Sequence, residues 1–173
     1  MIRFRMLPVF AIVLNVMLAQ LSYQASDDNT FALFRQKRYH FSTSFKLNWF
    51  KAMQYCRTRG MFLLSVRNPQ EREAIIEYLY GTGYIKTHQS LMIWTSANDL
   101  GEEGEFYWST TGEHVTYSNW SPGESNNAEF DDCTNENCAV LEYWAHRGAA
   151  YNYTFDDRSC KYEYHFICET LSE

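Results

Sequence analysis

The 173-residue chain has no Cys-x-x-Cys pair, and its five histidines (His40, His88, His114, His146, His165) show no zinc-ligand spacing. A zinc site is therefore not what organises it. It has no cluster of lysine or arginine, and its net charge is −6, or −8 without Arg3 and Arg5. That balance argues against phosphate backbones and anionic membrane surfaces as partners, so no nucleic acid is expected. There is no Gly-x-Ser-x-Gly, no acid/base pair that can be named, and a chain this short offers no evident substrate cleft. The sequence does not describe an enzyme. It also lacks repeats, a long linker and a second composition regime, which leaves one domain. No heptad or collagen-like segment precedes that domain, and the oligomeric state stays open.

What is present is 46% hydrophobic and 21% charged, the composition of a globular domain, with a high aromatic share of 17% spread along the chain. Arg3 and Arg5 precede an apolar run, Met6 to Leu14, that Asn15 interrupts and Val16 to Ala19 resumes. Residues 1–25 are expected to be a signal peptide, cleaved between Ala19 and Ser26, followed by a short segment at 26–37 and a domain at 38–170. The rival reading is a membrane anchor, which needs about 20 predominantly apolar residues; this run is shorter and broken. With secretion, no membrane insertion of the mature chain is expected, and an oxidising destination makes disulfides the natural use of Cys56, Cys133, Cys138, Cys160 and Cys168, with one left over.

Periodicity places two helices in the first part of the domain. Arg38 to Ser42 is a short aromatic-rich segment, and Trp49, Ala52, Met53 and Cys56 then fall at helical spacing, with Gly60 closing the helix. Asn68 as N-cap, Pro69 at the first position and Glu71 completing a capping box open a second helix. Ile75, Tyr78 and Leu79 are its apolar face, and Gly81 is expected to end it. Beyond Gly83 short aromatic runs alternate with Gly, Asn, Asp and Pro, and Tyr162, Tyr164, Phe166 and Cys168 alternate as in a strand. The fold class is α+β.

Several ordered segments carry a family resemblance: Asn48-Trp49-Phe50 with Ala52, Cys56 and Leu64-Ser65; Trp94, Asn98-Asp99, Glu103-Gly104, Phe106 and Trp108; Thr111-Gly112, Tyr117, Asn119-Trp120 and Gly123-Glu124; and Asn137 to Leu141 with Phe166 to Glu169. Together they resemble the C-type lectin domain, in texture the small secreted single-domain lectins of insects. The resemblance implies a C-type lectin-like fold of two helices, antiparallel strands and a long calcium-binding loop region. It also implies bridges Cys56–Cys168 and Cys138–Cys160. In the loop-closure account these are worth roughly 4–5 and about 3 kcal/mol. Cys133 is then unpaired, and a disulfide-linked dimer is the corresponding expectation.

The resemblance further implies a calcium-dependent carbohydrate site. The residues matching the family's ligands are Glu124, Asn126, Glu136, Asp156 and Asp157, and calcium takes six to eight oxygens. Glycans on glycoproteins or cell surfaces are the implied partners. A mannose-type site is favoured over a galactose-type one, and the alternative is a lectin-like domain that binds a protein instead. Three departures stand out. Ser125 occupies the place of a proline preceded by a cis bond, Asp156 that of an Asn, and the loop from Asn126 to Glu136 is extended by Asp131, Asp132 and Cys133. A cis bond before a residue other than proline costs about 2.5–4 kcal/mol. The bland alternative is a solvated acidic loop. Asp99, Glu103, Asn127 and Asn137 match a second, auxiliary calcium site, or else a turn around Gly101 and Gly104. Trp49, Trp94, Trp108 and Trp120 are expected to be core, while Trp144 and His146 either flank a bound sugar or sit at the surface. Asn152 opens a glycosylation sequon, and the sequon at Asn119 is discounted because it contains an expected core Trp.

Overall fold

A computed structural model of the chain describes residues 37–117, 119–129, 135–148 and 152–171. The leader, Asp131, Asp132 and Cys133 lie outside the described residues. Strand β1 (Tyr39–Phe41) is followed by α1 (Trp49–Thr58), whose Asn48 cap accepts from the Lys51 N–H at 3.0 Å. Trp49, Ala52 and Cys56 bury one stripe of α1, as their spacing requires. Gly60, at φ 66°, turns the chain into β2 (Phe62–Leu63).

Helix α2 (Pro69–Thr82) starts where the sequence places it, with Asn68 Oδ1 accepting from the Glu71 N–H at 2.8 Å. The box closes differently. Glu71 Oε2 accepts from the N–H of Arg67, one residue before the cap, at 2.7 Å, because the same carboxylate is drawn toward Lys37 and Arg67. Gly81 does not end α2. Gly83 does, in the left-handed conformation (φ 74°) that favours glycine at a helix C-terminus. A four-residue helix, α3 (Tyr84–Thr87), follows directly.

The remaining strands are β3 (Ser90–Asn98), β4 (Tyr107–Trp108), β5 (Cys138–Trp144), β6 (Asn152–Arg158) and β7 (His165–Glu169). They form one sheet in the order β1-β7-β3-β5-β6, with β2 joined to β7 and β4 to β3. The sheet is mixed: β7 runs parallel to β3, pairing His165 with Ile93 and Phe166 with Trp94, while the other pairs are antiparallel. The strand expected from Tyr162 begins at His165. Tyr164 makes an isolated bridge to Leu47, and β7 is buried at all five positions instead of alternating.

Burial on both faces follows from two apolar clusters divided by the sheet. Ile93, Leu141, Phe155 and Ile167 join Ile75 and Leu79 of α2 in one; Trp94, Val140, Phe166 and Cys168 join Trp49, Ala52 and Cys56 of α1 in the other. Successive residues of β3, β5 and β7 therefore enter opposite clusters, as the pleat dictates. Trp49 Nε1 donates to the Thr95 carbonyl at 2.8 Å and Trp94 Nε1 to the Leu47 carbonyl at 2.9 Å, so neither buried indole leaves its donor unmade.

Both expected disulfides are present. Cys56–Cys168 ties α1 to β7, and Cys138–Cys160 joins the start of β5 to the chain just past β6. Lys37 is buried and bridges Glu71 at 2.9 Å and Glu169 at 3.1 Å, while Glu169 also accepts from the Ser65 N–H. Burial pushes Glu71 up, but Arg67 and Lys37 outweigh it and hold the carboxyl below the usual range; in Glu169 burial prevails and raises it. Among the described residues no helix is long and apolar enough to cross a membrane.

Candidate cation and sugar site

The β5–β6 hairpin and one loop build the site. Antiparallel register sets Cys138 opposite Arg158, Ala139 opposite Asp157 and Val140 opposite Asp156, so the end of β6 lies beside the start of β5 and the preceding Glu136. The loop arrives through backbone bonds to β6: the Ser121 N–H donates to Phe155 O and the Phe155 N–H to Asn119 O, each at 2.8 Å. Asn119 spends its side-chain amide on the Tyr153 carbonyl at 2.9 Å. Glu124 to Asn127 follow, and the Glu124–Ser125 peptide is cis.

Glu124, Asp156 and Asp157 each contribute a carboxylate oxygen to a group lying within 4.8 Å of one another. Asp156 and Asp157 are 2% and 1% exposed. Asn126 joins them from both ends: its amide donates to Glu124 Oε2 at 2.6 Å and its backbone N–H to Asp157 Oδ1 at 3.2 Å. Glu136 is fully buried and stands outside the three-carboxylate group. It is connected through Arg158, whose Nη1 donates to Glu136 Oε1 at 3.1 Å and whose Nη2 donates to Asp156 Oδ2. Among the described residues, Glu136 Oε2 and Asp156 Oδ1 are buried without a hydrogen-bond partner.

Crowding and burial show in the acidities. Burial pushes Glu124 up to about 7, helped by its contact with Asp157. Burial likewise pushes Asp156 up to about 8, with Arg158 opposing and Glu142, Glu124 and Glu136 adding. Glu136 is raised by burial against the pull of Arg158. Such groups lose their protons readily to a cation that binds all of them at once. An all-oxygen cluster with orphaned buried carboxylate oxygens fits calcium, a hard ion with six to eight oxygen ligands.

Of the residues matched to a second site, Asp99 opens a turn that runs to Gly104. Asp99 is buried; its carbonyl accepts from the Glu102 N–H and its Oδ2 from the Gly104 N–H at 2.9 Å, while Oδ1 has no partner among the described residues. Its backbone N–H donates to the Asn137 carbonyl. Asn127 donates its N–H to Asp157 Oδ2 at 2.8 Å, and its own Oδ1 is buried with no partner among the described residues. Burial raises Asp99 and Glu103, and Asp157 contributes to both shifts.

Trp49, Trp94 and Trp108 are buried and Trp120 packs on the core, which settles their role as packing. Trp144 is half-buried; its Nε1 donates to Glu142 Oε2 at 2.7 Å, and Glu142 Oε1 accepts from the Ser121 hydroxyl. His146 stands edge-on to that indole and Arg147 lies 4.7 Å above it. Asn152 is exposed. Sequence reasoning missed Arg158 and Glu142. For Arg158 a signal existed: it is two residues from Asp156, and residues two apart on a strand share a face.

Residues 45–170 match the family described as Lectin C-type domain. The chain is 32% identical over 135 residues to C-type lectin 37Db of Drosophila melanogaster, covering 78% of this chain and 77% of that one. It is 26% identical over 132 residues to C-type lectin mosGCTL-7 of Aedes aegypti, covering 75% and 81%. Among solved structures it resembles the carbohydrate-recognition domain of the mouse scavenger receptor C-type lectin, at 25% identity and TM-score 0.63 over 79% of this chain and 92% of that one. It also resembles the cow CD23 domain solved in the presence of a GlcNAc2Man3 oligosaccharide, at 26% identity and TM-score 0.59 over 80% and 90%. The chain belongs to the C-type lectin domain family.

Proposed function

We propose that this protein is a secreted lectin that binds carbohydrate through calcium held by Glu124, Asn126, Glu136, Asp156 and Asp157. The observation that carries this reading is the convergence of the Glu124, Asp156 and Asp157 carboxylates within 4.8 Å, next to buried oxygens that lack partners among the described residues. Bound calcium supplies coordination positions for two neighbouring sugar hydroxyls. The protein supplies their hydrogen bonds. Asn126 donates and Glu124 accepts for one hydroxyl, the arrangement of mannose-type members. For the other, Glu136 accepts, but an ionised Asp156 cannot donate. Losing that bond costs roughly 1–3 kcal/mol, or about tenfold to a hundredfold in affinity. Binding to mannose, fucose or N-acetylglucosamine is therefore weak per site and strengthened on multivalent surfaces.

Asp99, Glu103, Asn127 and Asn137 are the residues of an auxiliary calcium site in the same reading, and Asn152 is the glycosylated residue. Cys133, left over from the two bridges, is the residue for an intermolecular one. Retention on immobilised mannan in calcium, with release by a chelator, tests the function. Calcium binding without retention on any glycan would instead favour a protein partner.

A further inference from the structure

Arg158 touches three oxygens of the proposed ligand residues. Nη2 donates to Asp156 Oδ2, and Nη1 donates to Glu136 Oε1 at 3.1 Å and to the Asp157 carbonyl at 3.3 Å. Among the described residues the second oxygen of Glu136 and of Asp156 is buried and unpartnered, so Arg158 engages each of these carboxylates through one oxygen. Position 156 is also where the resemblance puts a neutral Asn. This chain carries an additional carboxyl there, and a positive charge two residues later on the same strand face. With Asp156 ionised, as calcium binding requires, the Asp156–Arg158 pair sums to the charge of the asparagine it replaces. Arg158 is itself only partly accessible, with 22% of its side chain exposed, so its charge is not dissipated as on an open surface.

We propose that Arg158 is a built-in counter-cation of this site, a positioning residue that offsets the charge of Asp156, holds Glu136 and Asp156 in place, and lowers calcium affinity by competing for their oxygens. The inference rests on the reading of the cluster as a calcium site. A fixed positive charge within a few ångströms of a divalent ion opposes its binding even at the effective dielectric of a protein. The same charge relieves repulsion among the carboxylates before the ion arrives. An outer partner that orients ligands while moderating the metal is a recognised way to tune such a site.

Calcium titration calorimetry on the wild type, Arg158→Gln, Asp156→Asn and the double variant tests this, together with thermal melting in chelator. Arg158→Gln should bind calcium about tenfold more tightly and Asp156→Asn about tenfold more weakly, with the double variant within about threefold of wild type. In chelator, Arg158→Gln should melt below wild type and the double variant should recover. A purely structural arginine would weaken calcium binding when lost, so the direction decides. Arg158→Gln protein that is folded and binds calcium no more tightly than wild type overturns the role of Arg158 alone. A wild type that binds no calcium removes the calcium reading, and this role with it.

Discussion

Asn127 and Asp157, thirty residues apart, are joined by a 2.8 Å hydrogen bond from the backbone N–H of one to Oδ2 of the other. The other oxygen of the same carboxylate accepts from the Asn126 N–H at 3.2 Å. One side chain at the end of β6 thus fixes the backbone of the loop that presents Glu124 and Asn126. Bonds to a charged acceptor are the stronger kind. Asp157→Ala should cost about 1–3 kcal/mol of stability and, by removing a ligand and untying the loop, calcium affinity by at least about a hundredfold. Denaturant unfolding and calcium calorimetry on the same preparation measure both. Normal calcium affinity would show that the loop is held without Asp157.

Calcium binding should release protons. Burial holds Glu124 at about 7 and Asp156 at about 8, so both are partly protonated at neutral pH before the ion binds. Affinity is expected to fall as pH drops from about 8 to about 6, and titrations in buffers of different ionisation enthalpy should reveal the proton release. Without calcium, the folded protein binds more protons than the unfolded chain between the ordinary carboxylate range, about 4, and about 8. Its stability should therefore decline as pH rises through that window, and saturating calcium should flatten the slope. Affinity independent of pH would mean these groups do not share one ion.

Lys37→Met should be among the most damaging single changes away from the site. Lys37 bridges Glu71 and Glu169, and all three side chains are 1% exposed. Removing the lysine leaves the buried Glu169 without its counter-charge, and breaking such a pair costs about 3–5 kcal/mol. Adding Glu169→Gln should restore part of the loss in urea unfolding. A loss under 1 kcal/mol would show that the carboxylates find another partner.

Local signals made the second helix start legible: Asn68 is a short polar cap before a helical stripe and caps as its chemistry requires. Asn48 caps α1 in the same way, although its capping was not read from the sequence. Helix ends were less so, because Gly81 and Gly83 both offer the needed freedom and only the chain path chooses between them. The parallel β3–β7 pairing has no local signature; it joins segments 72 residues apart at Ile93 and His165. Burial of β7 on both faces, set by its place in the sheet, likewise erased the alternation expected from Tyr162. At the site, Glu124, Asp156 and Asp157 were legible through the family resemblance, but the bond from Arg158 to Glu136 depends on the β5–β6 register, which the sequence does not display.

Asp156→Asn should trade calcium affinity for sugar affinity. The amide gains the donor that the second hydroxyl lacks, so glycan-array signals for mannose-type sugars should rise about tenfold while calcium binds more weakly. A wild type that prefers galactose would contradict the donor and acceptor assignment of Asn126 and Glu124.

The Cys56–Cys168 bridge closes the chain into a covalent ring, and every proposed ligand, from Asp99 to Asp157, lies inside it. Cys138–Cys160 closes a smaller ring within the first, around the hairpin that carries Asp156 and Asp157. A protease that cuts once anywhere inside the larger ring opens it without freeing a fragment. The nicked protein keeps its mass until it is reduced, and then separates into two pieces. In surroundings rich in digestive enzymes, a single cleavage would cost this domain local geometry before it cost the domain its integrity.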